Sequence, residues 1–155
     1  MERIRQKIGR INEHLSIIRT IKDDCRVKFA VDPVYRGALL HYLYLLSDSC
    51  IVLAELVIKH KGLRIPQSYA ESFDILGEGQ ILDAEFAYRF ANIAGFRNFL
   101  AHDYEKIDQE VICGQIMDNL NDVNQYLHQI RVALGLDNHD RSDAAAVGKR
   151  AEGAR

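Results

Sequence analysis

The sequence predicts an all-α fold, an antiparallel bundle of four to five helices. Three observations carry this. Apolar residues recur at alternating steps of three and four, the period of one helix face. The only two prolines, Pro33 and Pro66, lie far apart and leave room for long helices. No stretch keeps the apolar–polar alternation of a strand. At 155 residues, 48% hydrophobic and 27% charged, the chain can bury a core as one domain. That domain is read as residues 1–136.

The first helix is expected over residues 2–23, where Ile4, Ile8, Ile11, Leu15 and Ile18 form one stripe. Such a stripe pairs a helix with a partner inside the chain or across a dimer. The second helix is expected to start at Asp32-Pro33, with Asp32 as N-cap and Pro33 in the first turn. It runs to Lys61 and stops at Gly62. Its apolar residues surround more of its circumference, as befits a central helix. Residues 62–82 are the least regular internal stretch. Pro66 and Ser68 can open a short helix there, with Glu71 at capping-box spacing, and Gly77-Glu78-Gly79 can close it. Long connections of this kind are often functional, although a plain crossover reads the same. The next helix spans Asp83 to His102, with Phe86, Phe90, Ile93 and Leu100 inward and Gly95 offering a close helix crossing. The last spans Asp108 to Leu134 on Ile112, Ile116, Leu120, Val123, Leu127 and Ile130, and ends at Gly135. Residues 137–155 lose the pattern and are expected to be a disordered tail.

Composition removes several function classes. A net charge of −2 and a pI near 6.3 exclude a protein coated in positive charge for duplex binding. They leave room for an RNA enzyme with a few gathered arginines. Cys25, Cys50 and Cys113 are odd in number and form no C-x-x-C, so reduced thiols in a cytoplasm are expected rather than a disulfide framework or a zinc site. The histidines show no metal-ligand spacing, and no P-loop or dinucleotide fingerprint is present. The first eight residues carry no apolar core of a signal peptide. The apolar run Leu39–Ile58 is interrupted by His41, Ser47, Asp48, Ser49 and Glu55, so a core helix is expected there and no membrane span.

One segment concentrates chemistry: Arg97, Asn98, His102 and Tyr104 at the end of a core-forming helix. Asn98 and His102 are four apart and share a face. Arg97 and His102 are five apart, about 140° around the axis, so one helix does not easily aim both at one small target. Two copies related by a two-fold could converge them on one cleft. Such a cleft could cut a phosphodiester without metal. A histidine can take the proton of a ribose 2′-hydroxyl or give one to the leaving oxygen. An arginine can hold the non-bridging phosphate oxygens as charge builds, and Asn98 can orient His102. RNA is favoured over DNA because it brings its own nucleophile. Taken singly, each residue has an ordinary reading: a helix-end arginine, a capping histidine, a rim tyrosine.

Together these residues form Arg-Asn-x-x-x-His-x-Tyr, which resembles the signature of HEPN ribonucleases in their HepT-like form. Ile65-Pro66-Gln67-Ser68, Glu71-Ser72-Phe73, Asp108 and Val111 extend the resemblance over residues 1–134. The resemblance implies the toxin of a type VII toxin–antitoxin system: a helical homodimer, or a higher homo-oligomer, that cleaves messenger or transfer RNA without metal at its interface. Arg97 and His102 would be catalytic and Asn98 supporting. The family often adds an acidic residue on the second helix; Asp48 is the candidate and Glu55 the alternative. The antitoxin would be a minimal nucleotidyltransferase that transfers AMP from ATP to Tyr104. ATP would then be the antitoxin's substrate, and this chain would need no cofactor. Arg89 could extend the basic surface, although it reads more simply as a solvated arginine. The competing reading is a non-catalytic HEPN partner that binds nucleotide or docks a nucleotidyltransferase.

Overall fold

The structure, a computed structural model, describes residues 1–103 and 106–136. The expected tail over 137–155 lies outside the described residues.

The stripe of the first segment becomes α1 (Glu2–Ile21), and all five of its stripe residues are buried. Their partner is α3 (Pro33–Lys61) of the same chain. Each such buried side chain stabilises the pair by about 1.5–3 kcal/mol. α1 stops two residues short of the expected end, and a 3₁₀ turn (Lys22–Asp24) and the single-turn helix α2 (Cys25–Lys28) make the reversal. Asp32 starts α3 as anticipated: its carboxylate accepts from the backbone of Val34 and Tyr35 at 3.0 and 3.1 Å. Gly62 stops it in the left-handed conformation at φ 64°, and Leu63 N–H closes onto the Ile58 carbonyl.

α3 is the central helix. It packs against α1, against α4 (Tyr69–Glu78) and against α6 (Asn92–His102). Its buried positions, from Tyr35 to Ile58, are distributed around its axis. By length and composition α3 could cross a membrane, but 56% of its most apolar window is buried inside the bundle.

The expected helix over Asp83–His102 is two helices. α5 (Ala84–Phe90) ends at Ala91, and α6 restarts at Asn92. Gly95 makes no close crossing within the chain: nothing among the described residues lies within 4 Å of where its Cβ would sit. The close approach falls instead at Gly77, where an added Cβ would meet Ala87 Cβ at 3.0 Å and push α4 off α5. The last segment begins at Asp108, whose carboxylate accepts from Glu110 N–H at 2.7 Å. It passes through a π-helical turn (Val111–Ile116) before α7 (Leu120–Leu134). Gly135 ends α7 at φ 66°. Tyr126 of α7 fixes this helix on the bundle: its ring meets Phe73 and Phe90, and its hydroxyl donates to the Cys50 carbonyl at 2.8 Å.

The expectation of reduced thiols fails at two positions. Cys25 and Cys113 form a disulfide, with Cα atoms 5.4 Å apart and a sequence separation of 88. The reason is packing: α2 and the π-helical turn lie side by side, an adjacency that residue spacing does not announce. Arg26 and Glu110 bridge the same two segments at 2.8 Å. Cys50 is free and buried, and burial pushes its thiol well above the ordinary range.

Candidate active site

α6 carries the motif from Arg97 to His102 in one continuous helix, so the angular separation read from the spacing applies. Arg97 turns inward toward α3 and α4, and its side chain is 18% exposed. Its Nε donates to Asp48 Oδ1 at 3.2 Å. One terminal nitrogen donates to Tyr44 Oη at 3.1 Å and the other to Asn98 Oδ1 at 3.3 Å. The guanidinium carbon also lies 5.2 Å from the Tyr44 ring centre and 5.3 Å from that of Tyr69. Both distances are within cation–π range. Arg97 is thus fixed by a carboxylate, an amide and two aromatic rings. A guanidinium has five N–H donors; three are engaged by the described residues.

Of the two acidic candidates on α3, Asp48 meets the motif arginine. Glu55 is two helical turns further on; burial first, and the Asp48 charge second, push its carboxyl above the ordinary range. Asn98 bonds to Arg97 rather than to His102. His102 and Asp103 are exposed where α6 ends, and Asp103 N–H caps the helix on the Phe99 carbonyl at 2.9 Å. The structure therefore gathers Arg97, Asn98 and Asp48, and leaves His102 on the outer face with Gly95. Tyr104 lies outside the described residues.

Arg89 does not extend the Arg97 surface. It sits beyond the helix break, 3.5 Å from Asp122 of α7, with its guanidinium 5.5 Å from the Phe86 ring centre. A groove of roughly 440 Å³ opens between α3, α5, α6 and the last segment. Ile93 and Phe96 line it, whereas Arg97 and His102 do not, so this groove and the motif occupy different flanks of α6. Among the described residues, no three His, Cys, Asp or Glu side chains cluster as a metal site would require.

Two residues of the site were not expected. Tyr44 was four residues from Asp48 on a helix expected to be central, a spacing that puts both on one face. Tyr69 was on the connection noted for its length. Ser68 caps α4 by accepting from Glu71 N–H at 3.2 Å, and Glu71 reaches back to Gln67 N–H at 2.6 Å. Arg64 then clamps Glu71 and Glu78, and holds both carboxyls below their ordinary range. Tyr69 is the first residue of this braced helix.

Comparison with known proteins gives the family. Residues 11–130 match the family described as Ribonuclease HepT-like. A tRNA nuclease HepT from Aphanizomenon flos-aquae is 30% identical over 129 residues, covering 82% of this chain and 84% of that protein. An mRNA nuclease HepT from Shewanella oneidensis is 25% identical over 126 residues, covering 78% of this chain and 95% of that one. The fold is similar to that of a tri-AMPylated Shewanella oneidensis HEPN toxin solved in complex with an MNT antitoxin. The TM-score is 0.75 at 23% identity, over 83% of this chain and 96% of the other.

Proposed function

Because the chain belongs to the HepT-like ribonuclease family, we propose that it is the toxin of a toxin–antitoxin pair of type VII, a metal-independent RNA endonuclease acting at the interface of two copies. The observation that carries this reading is the state of Arg97. It is held in place from four sides, and two of its N–H groups have no partner among the described residues. An arginine so fixed loses little freedom on binding and stays charged as the transition state forms.

His102 completes the chemistry. It is exposed and turned away from Arg97 of its own helix, so a second α6 must bring the two kinds of group together. The open space over Gly95, on the same outer face, suits the approach of that second helix. In the proposed reaction one imidazole takes the proton of the ribose 2′-hydroxyl, whose oxygen attacks phosphorus. The 5′-oxygen bond breaks and the second imidazole gives that oxygen a proton. The products are a 2′,3′-cyclic phosphate and a 5′-hydroxyl. Asp48 and Asn98 act through Arg97 as positioning residues.

The antitoxin is proposed to be a minimal nucleotidyltransferase. The Tyr104 hydroxyl attacks the α-phosphorus of ATP, pyrophosphate leaves, and the attached AMP brings negative charge to the place where Arg97 receives RNA. The names of the relatives support this assignment, since one solved structure is an AMPylated toxin bound to its antitoxin. A cytoplasmic location fits RNA as substrate.

The test uses the purified chain, Arg97→Ala and His102→Ala on transfer and messenger RNA in EDTA, with intact mass recorded for each. Cleavage by the unmodified chain, lost in both variants, is expected. An inert protein of unmodified mass would favour the docking-partner reading. An inert protein heavier by AMP would mark a neutralised toxin, and Tyr104→Phe should then restore cleavage.

A further inference from the structure

Tyr69 stands at the start of α4, beside Arg97. It is 42% exposed, a large aromatic surface on the first turn of a helix that needs no tyrosine there for its cap. Its ring lies 5.3 Å from the guanidinium carbon of the motif arginine. The guanidinium lies over one side of the ring, and a base adjoining a phosphate held by Arg97 would meet the exposed remainder of it. We propose that Tyr69 is the stacking platform for the nucleobase next to the scissile phosphate, so that Arg97 and Tyr69 grip one nucleotide by its two ends. The inference rests on the ribonuclease reading above.

Three features make the platform a built one. The brace of Arg64 on Glu71 and Glu78 holds the N-terminus of α4, so the ring stands on a stiff element. Tyr44 approaches the guanidinium as well, at 5.2 Å from its ring centre, and frees Tyr69 from being the sole aromatic support of Arg97. The chain as a whole has a net charge of −2. A substrate must therefore be held by more than phosphate attraction. Base stacking on an aromatic ring supplies about 1–3 kcal/mol per base and tolerates any base identity.

The chain has no tryptophan, which gives a direct readout. Tyr69→Trp, in a His102→Ala background that spares the RNA, is titrated with a short oligoribonucleotide and with the same oligomer made abasic at single positions. Fluorescence quenching by the intact oligomer, lost when one particular base is removed, is expected. In the cleaving protein, Tyr69→Ala and Tyr69→Leu should raise KM roughly tenfold, whereas Tyr69→Phe stays near wild type. On RNA abasic at the critical position, the alanine and tyrosine forms should cut alike. Equal losses on intact and abasic RNA, full activity in Tyr69→Leu, or quenching indifferent to the bases would overturn the proposal. Base-dependent quenching from a protein that cuts no RNA would sink the nuclease reading while leaving the stacking site standing.

Discussion

Replacing Asp48 with alanine removes the only carboxylate that bonds Arg97 among the described residues. The pair is 3.2 Å apart, with the arginine 18% and the aspartate 40% exposed. A hydrogen bond between charged groups contributes about 1.5–3 kcal/mol. The exposure of Asp48 moves this pair toward the lower end, because water screens half of it. Arg97 keeps Tyr44, Asn98 and its two ring contacts in the variant. The expected loss is therefore about 1–1.5 kcal/mol, or roughly 3–5 °C in Tm for a chain of this size. Arg97→Ala should cost less, since it leaves Asp48 able to reach water. Urea unfolding of wild type, both single variants and the double variant gives the coupling directly, expected near 1 kcal/mol. It should persist in high salt, unlike that of the Arg10–Glu13 pair, whose side chains are 68% and 64% exposed. Cleavage should also fall about tenfold in Asp48→Ala as the guanidinium loses its alignment. A coupling energy of zero would refute the claim that Asp48 positions Arg97.

Other expectations follow from the same contacts. Burial pushes His14 below its ordinary value of 6.5, and its Nδ1 is buried without a partner among the described residues. The unfolded chain therefore binds that proton first: the urea midpoint should hold above pH 6.5 and fall as pH drops through the window below it, and His14→Leu should flatten that fall. Breaking the Cys25–Cys113 bond frees a loop of 88 residues in the unfolded chain, a loss of up to about 4.6 kcal/mol by loop entropy. Thermal melts with and without reductant, and of Cys25→Ser, should show a large drop; unchanged melting would mean that the bond does not constrain the chain. Tyr126→Phe should lower stability by about 1 kcal/mol through its bond to the Cys50 carbonyl, measured by urea unfolding.

The parts of the fold that were legible are those decided locally. The α1 stripe, the Asp32-Pro33 start, the Ser68–Glu71 capping box and the Gly62 and Gly135 stops each follow from residues within one or two turns. The break at Ala91 was not legible, because the segment around it contains neither proline nor an adjacent glycine and reads as continuous helix. The π-helical turn likewise carries no local mark. The disulfide joins residues that only the tertiary packing brings together. At the site, the motif spacing already separated Arg97 from His102 around the helix. What it could not give was the identity of the groups around Arg97, since Tyr44, Asp48 and Tyr69 come from two other helices. Asp48 was reached through family resemblance, and the tyrosines were reached only through the fold.

The central claim is that Arg97 and His102 promote attack by the RNA's own 2′-hydroxyl. The direct measurement is single-turnover cleavage in EDTA of an RNA and of its twin with one 2′-deoxy nucleotide at the scissile position. The all-ribose RNA is expected to be cut to a 2′,3′-cyclic phosphate and a 5′-hydroxyl, and the deoxy twin to stay intact at that position. Cleavage of the deoxy twin there, or cleavage that appears only when a divalent metal is restored, would contradict it.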